Sequence, residues 1–173
     1  MTWQLDPTHT RIEFSARHML VSRVRGVFDS YQLEAKIDES DLSKSSATLT
    51  IDAASVDTGV EDRDAHLKSG DFFDVENHPK IVFETKRIEP KGDGEYRVVG
   101  NLTIRDETRE VEFKGEAHGP AEDPWGGKRI ALTAEAQVNR KDFGLTWNVP
   151  LAEGALVSDK VTLSIEAELV PAA

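Results

Sequence analysis

The sequence predicts an all-β protein, an eight-stranded antiparallel up-and-down barrel interrupted by one short helix. Eight runs of the chain alternate apolar and polar side chains with a period of two, as half-buried strands do. Several runs are long, and most of them are joined by short turns. Long strands in near-sequential hairpins favour a barrel over a sandwich, and closure also removes exposed sheet edges.

Three predicted strands precede the helix. The first covers residues 11–18, and its alternation points His18 inward. The second covers residues 24–37, but its apolar positions change parity at residues 28–30, which predicts a β-bulge or bend. The third covers residues 47–53, after a polar, turn-like stretch.

The predicted helix runs from Glu61 to Ser69, between strands three and four. Thr58 and Glu61 fit a capping box, and Gly70 is placed to end the helix in a left-handed conformation. The segment 60–74 has few apolar side chains, so we predict a lid or plug laid against the sheet. Those side chains are Val60, Leu67, Phe72 and Phe73.

Five more strands follow the helix. Turn-forming residues separate them, including a stretch with two glycines and a proline at 90–94 and a Gly- and Pro-rich loop at 119–127. The stretch 139–156 is irregular. The predicted strands cover residues 81–86, 96–104, 111–117, 130–138 and 161–169.

Composition limits the classes of function. The 173 residues suit a single domain, and 32 acidic against 21 basic side chains give a net charge of −11. That charge opposes binding to nucleic acid and docking on an anionic leaflet. The absence of cysteine excludes thiol chemistry and disulfides. No run reaches the roughly 20 apolar residues that span a bilayer, so stable membrane insertion is not expected.

The start of the sequence lacks a basic and then apolar leader. We therefore expect a cytoplasmic protein, or a periplasmic or extracellular one if a leader has been removed.

The inward-facing positions are often small. Eight strands enclose an interior that side chains can just fill or that can hold one small ligand, and small residues shift the balance toward a cavity. A filled, tapering barrel remains the alternative. The small positions are Ala16, Ala35, Ala47, Ala53, Gly100, Gly115, Ala117, Ala134, Ala136 and Ala167. The predicted pore wall is Phe14, Ala16, His18, Phe28, Tyr31, Leu33, Ile51, Phe72, Phe83, Tyr96, Val98, Phe113, Leu132, Ala134, Ala136, Leu163 and Ile165.

The helical segment also carries ionic side chains. Arg63, Asp64 and His66 could form an acid–base group, but an arginine and an aspartate near a barrel mouth more often lock a lid in place. We favour locking, with Leu67 and Phe73 as further lid residues. The five histidines lack the spacing of a zinc site, so no metal is predicted. Gly26, Gly100 and Gly115 are expected to allow bends or close approach.

The hairpin at residues 11–25 is unusual in a strongly acidic chain. It carries four arginines against one glutamate, and its tip is apolar at Met19, Leu20 and Val21. One interpretation is a barrel rim that meets a lipid surface or a phosphate-bearing head group. The other is a solvated hairpin whose arginines pair with surface carboxylates. Both stay open at this point.

Several motifs resemble those of the YceI-like family. They are D-P-T-H-T-R-I-E-F-S-A-R-H, V-R-G-V-F, R-D-A-H-L-K-S-G-D-F-F-D, H-P-K-I-V-F, G-N-L-T-I and R-K-D-F-G. The resemblance covers essentially the whole chain. It implies an extended lipocalin-like eight-stranded barrel whose pore holds a polyisoprenoid or another long-chain amphiphile. It implies no catalysis and no cofactor, and it suggests a homodimer.

The sequence thus predicts a binding protein that sequesters or carries a long-chain apolar ligand. The ligand would be a polyisoprenoid, an isoprenoid quinone or a fatty-acyl compound. Two alternatives remain. One is an enzyme that acts on an apolar guest, with His18, Arg63, Asp64 and His66 as acid–base groups. The other is a filled structural barrel that works through its surface.

Overall fold

The structure, a computed structural model, describes residues 2–19, 21–151 and 154–172; Leu20 of the predicted apolar tip lies outside them. The protein is mostly β, with one α-helix, α1, at Glu61–Lys68. Short 3-10 turns lie at Pro7–His9, Leu42–Lys44, Ala53–Ser55 and Arg140–Phe143. The strands are β1 Trp3–Leu5, β2 Arg11–His18, β3 Ser22–Phe28, β4 Tyr31–Lys36, β5 Ser46–Asp52, β6 Val56–Asp57, β7 Lys80–Gly92, β8 Glu95–Ile104, β9 Glu107–Glu122, β10 Lys128–Asn139, β11 Pro150–Leu151, β12 Gly154–Ala155 and β13 Val157–Pro171.

One strongly curled antiparallel sheet dominates the fold. Its strand order is β4-β5-β7-β8-β9-β10-β13-β2-β3-β6, with β1 also paired to β13, while β11 and β12 form a separate pair. The predicted mostly-β, antiparallel fold with one helix is confirmed. The predicted strand count of eight is not, because the described part of this sheet contains eleven strands, several of them short.

The predicted second strand is two strands. β3 pairs with β2 and β6, whereas β4 pairs with β5 at the other end of the strand order. The parity change at residues 28–30 marks the point where the chain passes between them. There the carbonyl of Ser30 accepts a hydrogen bond from the backbone of Asp52 at 2.9 Å.

The helix begins at the predicted residue, but neither predicted cap is correct. Val60 occupies the N-cap position and gives no side-chain cap, because valine has no polar side-chain atom. The hydroxyl of Thr58, the predicted cap, donates to Asp64 Oδ1 at 2.6 Å. At the other end Ser69 is the C-cap, in an extended conformation. Gly70 does not adopt a positive φ; the left-handed residue that follows the helix is Asp74. Among the described residues no helix is long and apolar enough to cross a membrane.

The apolar side chains form two clusters. The larger lies inside the curled sheet and includes Phe14, Phe28, Phe72 and Phe73 from three segments of the chain. The smaller is built on Trp3, Ile130 and Leu169, where β1, β10 and β13 meet.

Two strand glycines lie beneath aromatic rings. An added Cβ would stand 2.5 Å from the Phe14 ring at Gly26, and 2.6 Å from the Phe83 ring at Gly100. Each ring lies directly on the glycine backbone, and a side chain at either position would push the ring away. The prediction that these glycines allow close approach is therefore confirmed, and the same holds at Gly115, where the close neighbour is the carbonyl of Thr133.

Candidate functional site

A cavity of about 410 Å³ lies inside the curled sheet. Three parts of the chain enclose it: the inner face of the sheet, the lid segment at residues 61–73, and the turn at residues 143–147 that follows β10. The volume falls in the lower part of the roughly 300–1,000 Å³ range of small-molecule sites. Its lining is mainly apolar and aromatic, and includes Ile12, Phe14, Phe28, Leu67, Phe72, Phe73, Phe113, Phe143, Leu145 and Trp147.

The lid segment is held in the cavity wall by two aromatic clusters. The Phe73 ring lies 6.4 Å from Phe14 and 5.7 Å from Phe28, which themselves are 5.5 Å apart. The Phe72 ring lies 5.5 Å from Trp147. Edge-to-face and tilted pairs of this kind add stability beyond the area they bury. Both phenylalanines are buried, so this lid is an integral part of the wall.

Arg63 and Asp64 both bind Thr58, three residues before the first residue of the helix. Arg63 donates from Nε to the Thr58 hydroxyl and from Nη2 to the Thr58 carbonyl, both at 2.8 Å. Asp64 Oδ1 accepts from the Thr58 backbone at 2.8 Å as well as from its hydroxyl. The pair therefore fixes the start of α1 to the residue that follows β6. The polar groups that make these bonds, on Arg63 and Asp64, are engaged with Thr58.

The two histidines of the predicted acid–base group both line the cavity but have different surroundings. His66 Nε2 lies 2.9 Å from Asp71 Oδ2, and its ring packs edge-on against Trp147 at 4.6 Å. His18 lies at the end of β2, beside Val157 of β13. Arg63 also lines the cavity, whereas Asp64 does not.

Arg140 is a buried cavity residue that sequence reasoning missed. Its side chain is 4% exposed, and it donates to the carbonyls of Leu145, Trp147 and Ser158 at 2.7, 2.8 and 2.9 Å. Burial lowers the pKa of Arg140, and Asp159 at 3.8 Å opposes that effect. The guanidinium holds the turn at residues 143–147 against β13. The R-K-D-F-G motif contains this arginine and was the available signal.

Arg105 is a second positioning residue absent from the predicted site. It lies in the β8–β9 turn, where Arg105 and Asp106 both adopt left-handed φ values of 53° and 62°. Its Nη1 donates to the carbonyls of Gly70, Phe72 and Gly144. One side chain thereby connects the lid segment to the turn after β10.

The predicted wall residues divide into two groups. Those that line the cavity are Phe14, Ala16, His18, Phe28, Ile51, Phe72, Phe83, Phe113, Leu163 and Ile165, together with the lid residues Arg63, His66, Leu67 and Phe73. Those that do not are Tyr31, Leu33, Tyr96, Val98, Leu132, Ala134 and Ala136.

Position along the sheet explains the second group. Leu132 packs against the smaller cluster around Trp3, and Leu33 contacts both clusters. Tyr96 and Ala134 border a separate surface groove of about 910 Å³, which is lined largely by charged side chains. Ala136, Tyr31 and Val98 pack in or against the larger core. Alternation identified the inward face but not the level of the cavity along each strand.

In the part of the chain that the structure describes, one group of side chains could offer ligands to a metal ion. Atoms of Asp6, His9 and Glu168 lie within 4.8 Å of one another. However, Arg129 Nη1 donates to Asp6 at 2.8 Å and to Glu168 at 2.7 Å, so a guanidinium already supplies the positive charge. The hydrogen bond from Arg129 holds the pKa of Asp6 far below its usual range. The arrangement is that of an ion-pair network which ties β10 to β13 and to the N-terminal segment.

Comparison with known proteins identifies the family. Residues 3–169 match the YceI-like domain. The chain belongs to the YceI-like family. It is 36% identical over 159 residues to a UPF0312 protein of Staphylococcus epidermidis, covering 91% of this chain and 90% of that protein. A UPF0312 protein of Staphylococcus aureus is 37% identical over 156 residues, covering 90% and 88%.

Several solved structures share this fold. The Campylobacter jejuni YCEI protein superposes with a TM-score of 0.79 at 27% identity, covering 91% of this chain and 90% of that one. Burkholderia cenocepacia BcnA gives 0.81 at 22% identity, covering 95% and 98%. A polyisoprenoid binding domain from Saccharophagus degradans gives 0.73 at 15% identity, covering 98% of each chain. At such identities the last two comparisons concern the fold alone.

Proposed function

We propose that the protein binds one long-chain apolar molecule in the cavity and sequesters or carries it without chemical change. The observation that carries the proposal is the wall itself, in which phenylalanines from the sheet and from the lid enclose about 410 Å³. Such a wall favours a hydrocarbon guest, since each buried CH₂ contributes about 0.8 kcal/mol. The chemical classes we propose are polyisoprenoids, isoprenoid quinones and fatty-acyl compounds.

The polar side chains near the cavity support binding over catalysis. Arg63 and Asp64 are engaged with Thr58, and Arg140 with backbone carbonyls. A catalytic base needs a free position within hydrogen-bond reach of a reacting group. His66 contacts Asp71 on one side and the rings of Phe72 and Trp147 on the other, so its role in this proposal is to shape the pocket wall.

The family comparison supports the same class of ligand. The polyisoprenoid binding domain of S. degradans has this fold, with a TM-score of 0.73, although only 15% of its residues are identical. A shared fold makes an apolar guest of related length a reasonable first probe. The choice among the three ligand classes depends on the cavity of this chain.

Native mass spectrometry of the freshly purified protein tests the proposal. We expect an adduct of lipid mass that organic extraction releases and identifies. Titration of the extracted, empty protein with an isoprenoid alcohol, an isoprenoid quinone and a fatty acid should raise its melting temperature for the preferred class. A ligand at 100 times its Kd stabilises by about 2.7 kcal/mol. A protein that carries no adduct and gains no stability from any of the three would exclude the proposal.

A further inference from the structure

Most of the exposed large apolar side chains lie next to segments that line the cavity. In the described part of the chain, the large apolar side chains with high exposure are Met19, Val21, Val60, Trp125 and Val149. All except Trp125 belong to segments that border the cavity. We call these four residues, Met19, Val21, Val60 and Val149, the mouth rim.

Backbone contacts connect two of the rim residues, Met19 and Val149, to the cavity wall. Met19 donates a backbone hydrogen bond to the carbonyl of Leu156 at 2.8 Å, and Leu156 donates to the carbonyl of Val149 at 2.9 Å. Leu156 itself lines the cavity. Val60 precedes α1, whose residues Asp62, Arg63 and His66 also line it.

Val21 is the most exposed member of the rim. It is 87% exposed and lies in the β2–β3 turn, one residue before β3 begins. His18, at the other side of this turn, lines the cavity. The hairpin therefore carries Met19 and Val21 next to the cavity wall at His18.

The same hairpin presents a positively charged outer face. Arg17 and Arg23 are paired directly across the β2–β3 ladder. Arg25 pairs with Ser15, two residues further along each strand. All three arginines are exposed. Of these three arginines, only Arg25 comes within 4.0 Å of a carboxylate in the described part of the chain, that of Glu13. Like charges opposite each other in a ladder destabilise it, so an anionic partner outside the protein would offset the repulsion.

We propose that the mouth rim docks on the surface of an anionic lipid bilayer. Met19 and Val21 enter the head-group region, while Arg17 and Arg23 contact lipid phosphates. Glu61 and Asp62 lie beside Val60 at the start of α1, so the closest contact falls on the hairpin and not on the helix. The cavity entrance then faces the membrane, and an apolar guest passes between them without crossing water.

The net charge of −11 does not oppose this contact. The Debye length at physiological salt is about 8 Å, so carboxylates on the far side of the barrel are screened from the bilayer. The charge nearest the membrane is that of the hairpin. For this part of the surface the proposal departs from the expectation from composition that the chain avoids anionic leaflets.

Vesicle co-sedimentation of the purified protein tests the proposal. We expect binding to vesicles of phosphatidylcholine with phosphatidylglycerol, weaker binding to phosphatidylcholine alone, and loss of binding as salt is raised. Arg23→Glu should weaken binding about tenfold or more, and Val21→Asp should weaken it too. Two matched controls should bind as the unmodified protein does: Lys36→Glu on β4, and Trp125→Asp in the β9–β10 turn.

Three results would overturn the proposal. The first is equal binding to both kinds of vesicle, or none to either. The second is an equal loss in Trp125→Asp and Val21→Asp. The third is light scattering that shows a dimer which Val21→Asp dissociates while vesicle binding is unchanged. The transfer of a guest from the membrane rests on the proposed function, whereas the docking itself does not. Arg23→Glu should keep its lipid adduct, so failure to dock and failure to bind a guest are separately visible.

Discussion

Arg105 donates a hydrogen bond to the backbone carbonyl of Phe72 at 3.0 Å, across 33 residues of chain. The same nitrogen lies 3.2 Å from the carbonyls of Gly70 and Gly144. One guanidinium thus fixes the lid segment and the turn after β10 to the β8–β9 turn. The left-handed backbone at Arg105 aims the side chain at these carbonyls, an unusual conformation for a residue with a long side chain.

Removal of this clamp should loosen the lid. Arg105→Asn keeps a residue that tolerates the left-handed backbone, so the change isolates the lost hydrogen bonds. We expect unfolding free energy to fall by about 1–2 kcal/mol, and amide exchange to quicken at residues 70–75. Arg109→Asn is the control, since Arg109 is exposed and makes one longer bond to the Asp142 carbonyl. Equal losses in the two variants would contradict a specific role for Arg105.

A large side chain at Ala16 should block the cavity. Ala16 lines the cavity from the middle of β2, half-buried between Val24 and Val161 on the flanking strands. We expect Ala16→Trp to fold but to lose the lipid adduct and the ligand-induced rise in melting temperature. The measurement is native mass spectrometry of Ala16→Trp and of the unmodified protein after expression under identical conditions.

Ala131→Trp is the matched control for this prediction. Ala131 is exposed on β10, so the same substitution adds an indole outside the curled sheet. Its uptake should equal that of the unmodified protein. Full uptake by Ala16→Trp would mean that the guest does not occupy this cavity.

Gly26 should not tolerate a methyl group. An added Cβ would lie 2.5 Å from Phe14 Cζ, and the Phe14 ring is confined by Phe28 and Phe73. Overpacking of a well-filled core costs about 1–3 kcal/mol, which we expect for Gly26→Ala in urea denaturation. Phe14→Leu in the same chain should return part of the loss, as a double-mutant cycle would show.

Gly70→Ala provides the opposite outcome. No described atom lies within 4 Å of a Cβ added there, and the backbone is not left-handed. The substitution should leave stability unchanged or raise it by about 0.4–1 kcal/mol, because the unfolded chain loses freedom. A clear loss at Gly70, or none at Gly26, would contradict the packing described above.

The Asp6–Arg129 contact should make stability depend on pH in the acid range. Because Arg129 lowers the pKa of Asp6 in the folded state, the unfolded carboxyl, with a pKa near 3.9, binds its proton first as pH falls. The contribution is therefore complete above about pH 5 and is lost as pH falls toward the folded value.

Arg129→Met tests this sign. We expect the variant to have a lower urea midpoint than the unmodified protein at neutral pH, with the difference shrinking below about pH 4. Arg11→Met removes an exposed partner of Glu13 and should show little difference at any pH. A difference for Arg129→Met that stayed constant with pH would exclude the linkage.

Local patterns predicted the class of fold and the face that points inward. Alternation identified β2, β5, β8 and β10, and the same parity placed Phe14, Phe28 and Phe113 toward the interior. It did so because the two-residue period of a strand is set by backbone geometry alone. The cap residues of α1 escaped prediction, since the Thr58 hydroxyl accepts from Arg63 and donates to Asp64 and so does not accept from the backbone of the first helical turn.

The sequence by itself determined a mostly-β chain with one lid-like segment, an apolar inner face, and membership in a recognisable family. Only the tertiary structure decided which inward residues surround the cavity, because curling of the sheet sets the level at which each strand contributes. It also decided that Arg63 and Asp64 lock the helix and that Arg105 and Arg140 hold the wall. The carbonyls that Arg105 binds lie 33 to 39 residues away in sequence, and those that Arg140 binds meet its side chain only when the turn after β10 folds back on it.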